Sequence, residues 1–152
     1  VQKAFSGPKV LLDRLGSIDA RALAGADDAA LEAAAKGPPA IHRFPSAMGR
    51  RVREVAAFVV ERYDGDAARI WTEAQDADDL KRRLGALPGF GPMKVASLFA
   101  VLVRRLGVDV PGAREALPVH PTLGDVDSAE ALAEYQARKR AAKAAQRNAA
   151  DG

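Results

Sequence analysis

The string Leu87-Pro88-Gly89-Phe90-Gly91-Pro92 constrains this chain more than any other, because it separates two runs of helical periodicity with room for nothing longer than a tight turn. Before it, Leu80, Leu84 and Leu87 recur at helical spacing behind a cap at Asp76 or Asp78. After it, Val95, Leu98, Phe99, Leu102 and Val103 make Met93 to Leu106 a strongly apolar helix, followed by a Gly107 stop. Gly89 and Gly91 admit backbone angles closed to other residues, and Phe90 between them is expected to plug the hairpin into its own core. Pro92 suits the first helical position. Backbone N–H groups of the turn and of the next helix's first turn are then expected to face outward and, with the helix dipole, to hold a phosphate. Lys94 adds a mobile cation in that same turn. The competing reading is a Pro-Gly turn that merely joins two core helices.

The rest of the chain is also read as helical. Residues 2 to 15 carry Ala4, Phe5, Val10, Leu11, Leu12 and Leu15, and Gly7-Pro8 predicts a helix end, a break and a short helix up to Gly16. Ser17 or Asp19 can cap a helix over 19–24, and Asp27 or Asp28 another over 28–36, stopped by Gly37-Pro38-Pro39. From Ser46 a long amphipathic helix sets Val52, Val55, Ala56, Val59 and Val60 on one side and Arg50, Arg51 and Arg53 elsewhere, until Asp64-Gly65-Asp66 breaks it. Ile70 and Trp71 anchor the next. Residues 108–126, with Pro111, Gly112, Pro118, Pro121 and Gly124, read as an irregular loop of a length that is usually functional. Ser128 starts a last, Ala-rich helix with Arg138, Lys139, Arg140, Lys143 and Arg147. Nothing alternates with period two for long enough to demand a sheet, so the expected class is all-α: a helical domain over 1–126, with the hairpin at 80–107, and a basic helix or tail over 127–152.

Composition narrows the chemistry. A chain of 152 residues that is 48% hydrophobic can build a real core. No apolar run approaches the roughly 18 residues of a membrane span, and no basic, then apolar, then small-residue order marks a secretory signal at the start. A cytoplasmic location is the expectation. With no cysteine, disulfides, thiol nucleophiles, iron–sulfur clusters and thiolate zinc drop out together, and His42 and His120 are the only imidazoles, so neither metal nor cofactor is expected. Lys and Arg outnumber Asp and Glu, 23 to 20, which allows an anionic partner and equally fits a GC-rich genome's preference for Ala and Arg. The chain opens with Val1 inside what reads as a helix, and an upstream segment is expected to be missing.

Residues 80–107, through Leu87-Pro88-Gly89-Phe90-Gly91, resemble the helix-hairpin-helix of the HhH-GPD superfamily of DNA glycosylases, which includes endonuclease III and alkyladenine-type enzymes. The opening Val1-Gln2-Lys3-Ala4 resembles the point just after a first helix bearing Leu-Leu-x-x-Gln in those proteins. His42-Arg43-Phe44-Pro45 to Arg51-Val52, with Tyr63-Asp64-Gly65-Asp66-Ala67-Ala68, is similar to small bacterial members of the same superfamily. The resemblance implies a monomeric, nucleoid-associated protein on double-stranded, damaged DNA that flips a base out of the stack and cleaves its N-glycosidic bond. It also implies a carboxylate in the loop after the second hairpin helix, which falls on Glu115 or Asp109, with Glu115 the closer match from Gly107. Met93 stands where bifunctional members carry a Schiff-base Lys, and Lys94 lies one residue later, about 100° around the helix, so lyase activity is not expected. The candidate DNA contacts are Pro88, Gly89, Phe90, Gly91, Met93 and Lys94, joined by Arg50 and Arg51, whose alternative is a solvated helix face. Phe58, Trp71 and Phe99 read as core, His42 as a loop cap. A non-catalytic hairpin module or repair adaptor is the rival reading, and a small protein-interaction domain a third.

Overall fold

The structure is a computed structural model that describes residues 2–150, without the side chains of residues 2–5, 142–143 and 145–150. Val1 lies outside the described residues. The described residues form helices and turns with no strand, so the chain is all-α. It divides into two compact units: Val1–Glu73 with Leu87–Gly89, and Ala74–Ala86 with Phe90–Gly152.

In the first unit α1 runs Gln2–Leu15, α2 Ala20–Gly25, α3 Asp28–Lys36, α4 Pro45–Tyr63 and α5 Arg69–Thr72. The expected break at Gly7-Pro8 is absent: α1 continues through Pro8. Gly7 has no Cβ for the Pro8 ring to strike, which eases helical angles at that residue, although Pro8 still offers no N–H to the carbonyl one turn back. Local chemistry sets the next starts. Asp19 accepts the Ala22 N–H at 2.8 Å, and Asp27 accepts those of Ala29 and Ala30 at 3.0 and 3.2 Å. Helix α4 begins one residue earlier than read, with Pro45 in its first turn, and ends where Asp64 (φ 52°) and Gly65 (φ 79°) turn left-handed. Its Ala56 and Val59 are buried with Leu11, Leu31, Ala34 and Ala35, as α4 packs on α2 and α3 and α3 on α1. Gly49 lets α4 come close to α3: a Cβ there would stand 3.3 Å from the Leu31 carbonyl oxygen.

The second unit holds α6 (Ala77–Gly85), α7 (Pro92–Arg105), a 3₁₀ turn at Leu123–Asp125 and α8 (Ala129–Ala150). Its core is Leu80, Leu84, Phe99, Ala100, Leu102 and Ala113. Burying Phe99 and the leucines stabilises the pairing of α6 with α7 by about 1.5–3 kcal/mol per side chain. Of the three aromatics read as core, only Phe99 is fully buried; Phe58 and Trp71 are half-buried.

The start of α6 is fixed by two acids. Asp76 Oδ1 accepts the Asp79 N–H at 2.8 Å, and Asp79 reaches back to accept the Gln75 N–H at 3.1 Å. Asp79 is buried and also takes Arg82 Nη2 at 2.6 Å and Arg83 Nε at 3.1 Å. The Gln75 N–H bond holds its carboxyl below the ordinary carboxylate range, with Arg83 and Arg82 adding to it against the opposing effect of burial.

The loop after α7 is held down on that helix. Thr122, 2% exposed, accepts the Gly124 N–H at 3.2 Å, while Asp125 accepts the Thr122 N–H at 2.6 Å. Gly124 lies so close to α7 that a Cβ would stand 2.6 Å from the Ala100 carbonyl carbon. Arg104 is ion-paired with Asp125, and Arg105 Nη1 lies 3.8 Å from Asp127. At the loop's other end, the Ala77 N–H donates to the Pro111 carbonyl at 2.9 Å, joining it to α6.

Candidate nucleic-acid interface

Two helices flank the Leu-Pro-Gly-Phe-Gly string, α6 ending at Gly85 and α7 starting at Pro92, so Leu87, read as part of the first helix, lies in the turn between them. Its two glycines differ. Gly89 sits at φ 75°, where a side chain is strained, but Gly91 has φ −93° and ψ 176°, an extended conformation open to any residue. The expectation that both need special angles is therefore corrected for Gly91. What Gly91 has instead is room: a Cβ built there meets no heavy atom within 4 Å.

Phe90 is half-buried rather than sunk in the core, and Lys94 Nζ stands over its ring at 5.7 Å from the centroid. An ammonium at that distance is held by the ring's negative face. Gly91 is the N-cap residue of α7, with no side-chain cap. The expectation that the first-turn amides all face outward is corrected as well, because the Lys94 and Val95 N–H groups both donate to the Gly91 carbonyl, at 2.9 and 3.1 Å. Tightening the first turn in this way removes one of the amides that a phosphate would use. Gly91, Pro92, Met93 and Lys94 are all exposed, Met93 at 74%. Pro88 is half-buried and Leu87 buried.

The two arginines of α4 part company. Arg51 lies along Gly89: a Cβ on that glycine would stand 2.9 Å from Arg51 Nε and 3.2 Å from Cδ. Both belong to the first unit, so the structure brings one candidate cation onto the hairpin's positive-φ glycine. Arg50 instead lines a small cleft of about 180 Å³ with Asp28, Leu31, Glu32 and Ser46. There Glu32 accepts Ser46 Oγ at 2.8 Å and pairs with Lys36 Nζ at 2.5 Å. Lys36 foremost, then Ser46, with a smaller share from Arg50, keeps the Glu32 carboxyl below its usual range. Arg53 is ion-paired with Asp28.

Asp109 and Glu115 both line an open concavity of about 390 Å³ formed by the loop from Asp109 to Glu115, as does Arg114. Both carboxylates are exposed. A carboxylate that steadies a positive sugar works best where water is excluded, and this loop by itself leaves both in solvent. His42 acts as the loop cap that its position suggested, its Nδ1 accepting the Phe44 N–H at 3.1 Å. His120 is exposed. Among the described residues no group of three or more His, Asp or Glu is placed to hold a metal ion, and no helix is long and apolar enough to cross a membrane. Sequence reasoning missed the Arg51–Gly89 contact and the Thr122–Gly124 clasp, for which the only available signals were the Pro88-Gly89 pair and a Thr-x-Gly-Asp string. No family model, curated protein sequence or solved structure matches the chain.

Proposed function

We propose that this chain is a DNA-binding protein of base-excision repair that grips duplex backbone through the hairpin, of the type of a monofunctional DNA glycosylase. The observation that supports the binding step is the open start of α7, where Gly91 leaves space for a close approach and Lys94 supplies charge at an exposed helix N-terminus. In the cleavage step, Glu115 or Asp109 faces the sugar of a flipped nucleotide as the bond to the base breaks. The base leaves with the bonding pair, water adds at the sugar carbon and gives up a proton that ends on the base, and the abasic strand stays intact because Met93 stands in the Schiff-base position. The exposure of both acids favours a second reading, a hairpin module that binds DNA without cleaving it.

Base release separates the two. Incubated with duplexes carrying alkylated, deaminated or oxidised bases, a glycosylase frees the base and leaves a strand that breaks only in alkali. Glu115→Gln then abolishes release and keeps affinity. A covalent adduct trapped by borohydride contradicts the monofunctional assignment, and no release across the panel leaves the binding module as the function.

A further inference from the structure

The last helix carries a one-sided distribution of charge that the hairpin does not use. From Tyr135 to Ala150 the sequence holds five cations, Arg138, Lys139, Arg140, Lys143 and Arg147, and no acid. At about 100° per residue, positions 139, 140, 143 and 147 fall within a single sector of about 100°. Position 138 lies about 100° to the other side, and Arg138 is already ion-paired with Glu134 one turn back. Residues 137–141 are exposed, and Lys139 Nζ is steered by the Tyr135 ring at 5.7 Å from its centroid. The side chains of Lys143 and Arg147 lie outside the described residues, and their place in the sector follows from helical register alone.

We propose that this sector of α8 is a second, sequence-independent contact for duplex DNA, gripping phosphates along one strand. The proposal rests on the reading of this chain as a DNA-binding protein. Four cations along about 12 Å of helix complement a duplex that carries one charge per roughly 1.7 Å of its axis. An anionic membrane fits less well, because an interfacial helix needs large apolar side chains on its other face. Beyond Tyr135, α8 offers only Ala, Gln and Asn between its cations.

The test is the salt dependence of duplex affinity for the whole chain, wild type against the Lys139→Gln, Arg140→Gln, Lys143→Gln, Arg147→Gln variant. Glutamine keeps helix propensity close to that of Lys and Arg, and circular dichroism checks that the helix remains. The expected result is a slope of log affinity against log salt shallower by about 3.6, since each of the four phosphate contacts contributes about 0.9. Arg138→Gln, outside the sector, leaves the slope unchanged. Wild-type binding with a slope that the fourfold variant does not alter overturns the proposal and leaves the hairpin reading standing. A slope altered by the fourfold variant but not by Lys94→Gln or Gly91→Leu supports α8 and defeats the hairpin instead. No duplex binding by the wild type overturns both, and equal, variant-sensitive binding to phosphatidylserine vesicles overturns the assignment to DNA.

Discussion

Before α7 the chain passes through Pro88, Gly89, Phe90 and Gly91; after it, through Gly107, Pro111, Gly112, Pro121 and Gly124. Both stretches are rich in glycine and proline, and in the structure Gly91 and Gly124 have opposite fates. In the leading stretch Phe90 is half-buried but Gly91 is exposed, with nothing within 4 Å of where a Cβ would be. The trailing stretch is tied down by buried Thr122, by Gly124 pressed on the Ala100 backbone and by the Arg104–Asp125 pair. A glycine can thus be needed because something is already there, as at Gly124, or can leave open space, as at Gly91. Only the second kind is available to a ligand.

Substitutions at the glycines break this comparison if it is wrong. The largest effect is expected at Gly124. A valine there would push into the α7 main chain, which cannot swing aside, so Gly124→Val should lower unfolding free energy in urea by about 3 kcal/mol. A loss under about 1 kcal/mol would mean that the clasp is loose. At Gly89 the obstacle is the Arg51 side chain, which can move, so the remaining cost is the left-handed backbone. Gly89→Ala should lose about 1–2 kcal/mol; no loss would show that the turn relaxes to another conformation.

A smaller effect, confined to acid, is expected at Asp79. Its folded-state pKa lies below its unfolded value, so its contribution is present above the ordinary carboxylate range and is lost as pH falls through the folded-state pKa. Urea denaturation between about pH 7 and pH 3 should show a decline that is shallower in Asp79→Asn. Identical pH profiles would remove Asp79 from the account of how α6 begins.

Local chemistry made much of this fold legible. Asp19, Asp27 and Asp76 cap helices next to themselves in sequence, and the apolar spacing of α4 and α7 names their buried faces without reference to the rest of the chain. Gly7-Pro8 misled because a proline was weighed without the glycine that relieves it. The difference between Gly89 and Gly91 is settled by how the chain closes, and two glycines flanking one Phe look alike until it has. The Gly124–Ala100 and Arg51–Gly89 contacts join residues distant in sequence, so no window along the chain contains them. The exposure of Asp109 and Glu115 likewise depends on the path of their loop, which residue type does not state.

The most direct measurement of the central claim is duplex affinity of Gly91→Leu beside wild type, read by fluorescence anisotropy at several salt concentrations, with urea denaturation of both. Gly91 has ordinary backbone angles and open space around it, so the leucine should change stability by only about 1 kcal/mol, the cost of a less favourable cap. If a phosphate comes to rest at the start of α7, that same leucine occupies its place. The account predicts at least a tenfold loss of affinity, about 1.4 kcal/mol of binding free energy, in a protein that is still folded. Unchanged affinity and an unchanged salt slope would contradict it, and the hairpin would then be a turn between two core helices.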